Sequence, residues 1–219
     1  LPATVVALAG QDSTGNVLAS ASRYAPGAAN NWTQLPNMTT PRGGLAAATL
    51  NGTVFALGGY YSGYLASVEA FDLAAGAHWT LLAASMTTPR REHAAAVLRG
   101  LIYAAGGQAT FIGNNALASV ERFDGGARSA WAPVPASMTT ERSGFALVAL
   151  EEGGAGVPPG GLLVAAGGRT NTVLALASIG LAGALHRVDR EVARSAVGGS
   201  AGEGPSASSA GDLALGVDR

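Results

Sequence analysis

One sentence is written along this chain more than once, at a period near 50 residues, and that period limits what the chain can fold into. Trp32, Trp79 and Trp131 keep it; so do Met38, Met86 and Met138, and Gly59, Gly107 and Gly168. Landmarks of such different chemistry share one spacing only if the chain is built from repeated supersecondary units. Each unit buries its apolar face against its neighbours, so the repeats imply a stacked array.

The best copy reads as four short strands. Gly44 to Leu50 and Thr53 to Leu57 flank Asn51-Gly52, the strongest short hairpin signal, because a type I′ turn needs positive φ at both central positions. Ser67 to Phe71 is rich in β-branched and aromatic residues, and a fourth strand runs from Trp79 to before Met86. The first strands, Leu45-Ala46-Ala47-Ala48 and Ala94-Ala95-Ala96-Val97, carry small residues suited to strands that converge on an axis. Gly58-Gly59 and Gly106-Gly107 end the second strands, where the backbone can turn with positive φ and approach its neighbours closely. The tryptophans belong to outer strands, where diverging sheets leave a gap for a large ring. Four turn-linked strands repeated side by side describe propeller blades.

Both ends depart from this pattern. Thr4 to Gly10 matches Thr53 to Gly59, and Leu18-Ala19-Ser20 matches Leu65-Ala66-Ser67, so the chain opens on the second strand of a unit. That beginning, at Leu1 and in mid-pattern, is what a sector of a longer protein would show. The last unit carries an insertion, Glu151 to Gly161, then recovers as Leu162 to Ala166 with Gly167-Gly168. Leu176-Ala177-Ser178-Ile179 echoes Leu65-Ala66-Ser67-Val68, with a helix over Val173 to Val197 as the alternative. The Gly/Ser/Ala-rich remainder reads as disordered or partly helical.

Composition excludes several chemistries. With a net charge of −1, no electrostatic footprint points to nucleic acid or an anionic membrane. No apolar run is long enough to span a bilayer as a helix. All 13 basic residues are Arg, which removes a Schiff-base or P-loop lysine. The absence of Cys removes disulfides, thiol nucleophiles and thiolate metal sites, and leaves the compartment open.

The residues Met38 to Gly44, Gly58-Gly59, Ser67 to Asp72 and Trp79, repeated as Met86 to Arg90, Gly106-Gly107, Ser119 to Asp124 and Trp131, resemble the kelch repeat. The resemblance covers about residues 4–180 and implies an all-β, kelch-type β-propeller sector of about four four-stranded blades, the first and last incomplete, with a low-complexity C-terminal tail. The units fall at 1–38, 39–86, 87–138 and the degenerate 139–180, with 181–219 as the tail. Kelch propellers usually close with more blades than this, and an open edge invites further pairing.

The resemblance also implies a role. In kelch adaptors of ubiquitin ligases, Arg at the position of Arg42, Arg90 and Arg142 lines the channel mouth and grips acidic motifs through bidentate pairing. The alternative is an Arg that caps backbone carbonyls within the blade. The residues after the Gly pairs, Gln11, Tyr60, Gln108 and Arg169, face the same mouth in such adaptors, and Tyr61 and Phe111 would add aromatic anchors. The expected partner is therefore a protein or peptide, acidic in character, with no cofactor or metal and no catalytic residues. The competing reading is a fragment of a kelch-fold enzyme acting on sugars or small metabolites, with its chemistry outside this segment. A copper oxidase of the galactose-oxidase type needs a Cys cross-linked to Tyr, which this chain lacks. Glu69 and Glu121 recur at one blade position and read as repeat structure, and His78, His93 and His186 share no ligand spacing.

Overall fold

In a computed structural model of the chain, consecutive strands pair antiparallel and every large sheet follows sequence order. The structure describes residues 4–26, 32–110, 116–126, 128–154 and 156–169, together with the backbone of 177–180. The first sheet is β1 (Val5–Leu8), β2 (Ala21–Tyr24) and β3 (Trp32–Leu35). The second contains β4 (Ala46–Leu50) and β5 (Thr53–Leu57); a two-strand ribbon of β6 (Tyr60–Tyr61) and β7 (Gly63–Tyr64) follows, and β8 (Val68–Asp72) and β9 (Thr80–Leu81) complete the sheet. The third is β10 (Ala94–Leu98), β11 (Leu101–Ala105), β12 (Val120–Phe123) and β13 (Ala132–Pro133). The fourth is β14 (Ala146–Leu150), β15 (Leu162–Ala166) and β16 (Ala177–Gly180).

Local chemistry accounts for these elements. Asn51 and Gly52 take φ of 51° and 78°, the left-handed pair that a two-residue hairpin between β4 and β5 requires. Arg99 and Gly100 do the same between β10 and β11. The outer strands are shorter than the sequence implies. Trp79 and Trp131 each sit one residue ahead of a two-residue strand, and their rings rather than their backbones complete the blade.

The hydrophobic core lies between sheets. One cluster joins the first and second sheets through Val6, Leu8, Ala21, Met38, Val54, Ala56, Phe71 and Trp79. A second joins the next pair through Ala48, Leu50, Phe55, Leu57, Ile102, Ala104, Phe123 and Trp131. A third joins the last pair through Leu98, Tyr103, Val120, Met138, Leu163 and Ala165. Met38, Met86 and Met138 are all buried in these seams, which explains why a flexible apolar side chain recurs at the period.

The last sheet corrects two expectations. Ala177–Gly180 pairs with Leu162–Ala165 as a strand, so the helical alternative fails over these residues. Its register is also three residues from the sequence echo. Ala165 faces Ala177, as Ala56 faces Glu69 and Ala104 faces Glu121, so Ala177 takes the glutamate position. The proposed tail at 181–219 lies outside the described residues.

Candidate functional site

The segment joining one blade to the next enters along the seam. Met38 N–H donates to Ala19 O and Arg42 N–H to Leu18 O of the preceding blade, and Met86, Arg90, Met138 and Arg142 repeat both bonds with Ala66, Leu65, Ala118 and Leu117. The recurring Leu-Ala-Ser is thus the acceptor edge for the recurring Met-Thr-Thr-X-Arg. The Gly pair closes the contact from the other side: Gly10, Gly59 and Gly107 N–H donate to Arg42, Arg90 and Arg142 O at 3.1, 2.7 and 2.9 Å. A Cβ on Gly58 or Gly106 would meet that carbonyl at 2.6 Å, which is why no side chain fits there.

The arginine side chains turn inward. The guanidinium of Arg42 donates to Gly58 O at 2.8 Å, Ser67 O at 2.9 Å, Ser67 Oγ at 3.1 Å and Glu69 Oε1 at 2.9 Å. Glu69 in turn accepts Thr39 and Thr40 N–H at 2.7 and 3.1 Å. Arg90 and Glu121 repeat the arrangement with Gly106, Ser119, Thr87 and Thr88. Burial pushes each Glu carboxyl up in pKa. The Thr hydrogen bonds and the Arg partner more than offset this, and both carboxyls end below their ordinary value. Arg142 donates to Gly167 O at 2.7 Å in the last blade, where Ala177 stands at the glutamate register position.

Arg42, Arg90 and Arg142 are at most 1% exposed. The expectation that they form a partner-gripping ring is therefore corrected. The guanidinium donors of Arg42 and Arg90 are consumed by blade carbonyls, a serine and a buried carboxylate, and Arg142 points inward onto Gly167 O, so the three offer no surface to a ligand. The carbonyl-capping alternative describes their geometry.

The residues after the Gly pairs fare differently. Tyr60, Gln108 and Arg169 each exchange two backbone hydrogen bonds with the residue that follows the buried Arg, namely Gly43, Arg91 and Ser143. This places all three on one edge of successive blades. In the β6–β7 ribbon, Ser62 turns at φ 43° and sets Tyr60 opposite Tyr64, with ring centroids 5.7 Å apart. The guanidinium of Arg91 lies over both rings, 5.9 and 5.5 Å from their centroids. Arg91 Nε donates to Gln108 Oε1 at 3.1 Å, and Gln108 Nε2 reaches Ser143 Oγ at 3.4 Å. Glu92 lies 3.7 Å from Arg91, both side chains are a little over a quarter exposed, and Arg169 is exposed. Tyr60 and Gln108 are thus joined in one cluster, Arg169 is on the same edge, Tyr61 is exposed beside it, and Phe111 is outside the described residues.

Arg91 and Tyr64 were missed by the sequence reading. A signal existed for Arg91: the residue after each repeat Arg is Gly43, Arg91 and Ser143, and only one of these departs from the small residues. Among the described residues, no three His, Asp or Glu side chains gather as a metal site requires.

Antiparallel sheets in sequence order, packed face to face through repeating seams, are β-propeller blades. Residues 41–83 and 89–124 match the family model described as Kelch motif, so the chain contains kelch repeats. No curated protein matches it. Kelch repeats generally form protein-interaction modules and bind protein partners.

Proposed function

We propose that this chain is the partner-binding propeller of a larger protein, such as a ubiquitin-ligase adaptor. It takes an acidic peptide segment on the edge formed by Tyr60, Tyr64, Arg91, Gln108 and Arg169. The observation that carries the reading is the placement of Arg91. Its guanidinium is stacked on two tyrosine rings and tethered at Nε by Gln108, while the side chain keeps 28% of its surface in solvent. A cation held in one orientation loses little entropy on meeting a carboxylate, and Arg suits bidentate recognition. Arg169, on the next blade edge, supplies a second positive charge.

Selection of random dodecapeptides on the wild-type protein tests this. Asp and Glu should be enriched, and the selected peptides should bind Arg91→Ala about tenfold more weakly, roughly 1.4 kcal/mol. Enrichment without acidic bias, or equal binding to the variant, would contradict it.

A further inference from the structure

One position in each of three successive blades is held in a left-handed backbone. Gly44, Glu92 and Gly144 stand two residues ahead of β4, β10 and β14, with φ of 58°, 52° and 61°. Backbone hydrogen bonds string them together. Glu92 N–H donates to Gly44 O, and Gly144 N–H donates to Glu92 O, both at 2.7 Å. The fold thus imposes the conformation, and two blades meet it with glycine. The third meets it with a side chain whose Cβ crowds the following carbonyl oxygen. Asn51, Ser62 and Arg99 share this φ region, but they turn hairpins; Glu92 lies inside a network that its neighbours build with Gly.

The Glu92 side chain is placed with some care. Its stem lies over the preceding blade, where a Cβ added to Gly44 would come within 3.4 Å of Glu92 Cγ. Its Oε1 lies 3.7 Å from Arg91 Nη2, too long for a hydrogen bond, and the side chain keeps 29% of its surface in solvent. A strained backbone is therefore kept for a carboxylate that the blade does not need, beside the one cation stacked on Tyr60 and Tyr64. Strain retained in this way marks a functional position.

We infer that Glu92 is a specificity-determining residue of the Arg91 edge, and that it takes a Lys or Arg side chain two residues from the acid that Arg91 takes. The inference rests on the reading that this edge binds an acidic segment. Arg91 and Glu92 set opposite charges side by side. In an extended ligand alternate side chains face the same way, so an acid-x-base segment meets both charges at once. A segment of acids alone sets a second carboxylate against Glu92, and such like-charge contacts reject wrong partners.

Selection of random dodecapeptides on wild type, Glu92→Gly and Glu92→Gln tests this. Wild type should enrich Lys or Arg two positions from Asp or Glu. Both variants should keep the acidic enrichment and lose the basic one. Replacing the base of a selected peptide by Ala should weaken binding to wild type about fivefold and leave binding to Glu92→Gln unchanged. In urea, Glu92→Gly should unfold no earlier than wild type, because glycine relieves the backbone. A pool with no acidic bias overturns the edge reading and this inference with it. Acidic enrichment without a basic companion, or the same basic preference in both variants, overturns this inference alone. A Glu92→Gly protein that unfolds earlier than wild type also overturns it, since Glu92 would then serve the fold.

Discussion

His93 sits one residue before β10, at the position that Leu45 and Phe145 hold in neighbouring blades, yet both its ring nitrogens are buried without a hydrogen-bond partner. Burial, with the Arg90 cation beside it, pushes its pKa down from 6.5 to about 3. The native state therefore keeps the ring neutral while the unfolded chain protonates below pH 6.5. Stability attributable to this residue is complete above that pH and falls by about 1.4 kcal/mol per pH unit as acid is added, until the folded pKa is reached. His93→Leu should raise unfolding free energy by about 1–2 kcal/mol at pH 7 and flatten its pH dependence between 6.5 and 4, as read from urea melts. Glu69 and Glu121 have the same sign at lower pH: their depressed pKa values stabilise the fold above the ordinary carboxylate range, and that stability is lost as pH falls through them. Glu121→Gln should lose stability at neutral pH and show a shallower acid transition below pH 5.

At the scale of elements, glycines with similar φ differ sharply in what surrounds them. Gly58 has φ 54°, and an added Cβ would meet Arg90 O at 2.6 Å, so Gly58→Ala should cost about 3 kcal/mol and loosen the seam. Gly100 has φ 72° in an open hairpin with nothing within 4 Å, and Gly100→Ala should cost only about 1 kcal/mol. Thermal melts of the two variants make the comparison. Much of this level was legible in the sequence. Asn51-Gly52 fixed its own turn, the Gly pairs announced positive φ, and the period placed Thr53–Leu57 and Leu162–Ala166 to the residue. The register of Ala177–Gly180 was not, because Leu-Ala-Ser also names the loop before a strand, and the decisive Glu and aromatic residues are absent there. The arginine ring was misread for a related reason. Recurrence shows that a position matters but not where its side chain points. Arg42 and Glu69, or Arg90 and Glu121, are far apart in sequence, and only their joint recurrence hinted that each pair satisfies itself. The Arg91 cluster was nearly invisible, since it combines a non-repeating residue with the two tyrosines of the β6–β7 ribbon, which the repeat pattern does not specify.

For the whole molecule, neighbouring arginines differ in setting: one builds the propeller, and the next lies on the edge where we propose a partner binds. Arg90 ties a connecting segment, a Gly-Gly turn and a third strand into one buried network, so its loss leaves Glu121 as an uncompensated charge inside a seam. Arg91, the next residue, lies on the blade edge among groups that solvent reaches. The same substitution at both positions separates these roles most directly. Urea denaturation should show Arg90→Met losing about 3–5 kcal/mol of unfolding free energy, in keeping with removal of one partner from a buried ion pair. Arg91→Met should lose about 1 kcal/mol or less, the worth of a partly exposed cation–π contact. Equal losses in the two variants, or a stable Arg90→Met beside a collapsed Arg91→Met, would contradict this division.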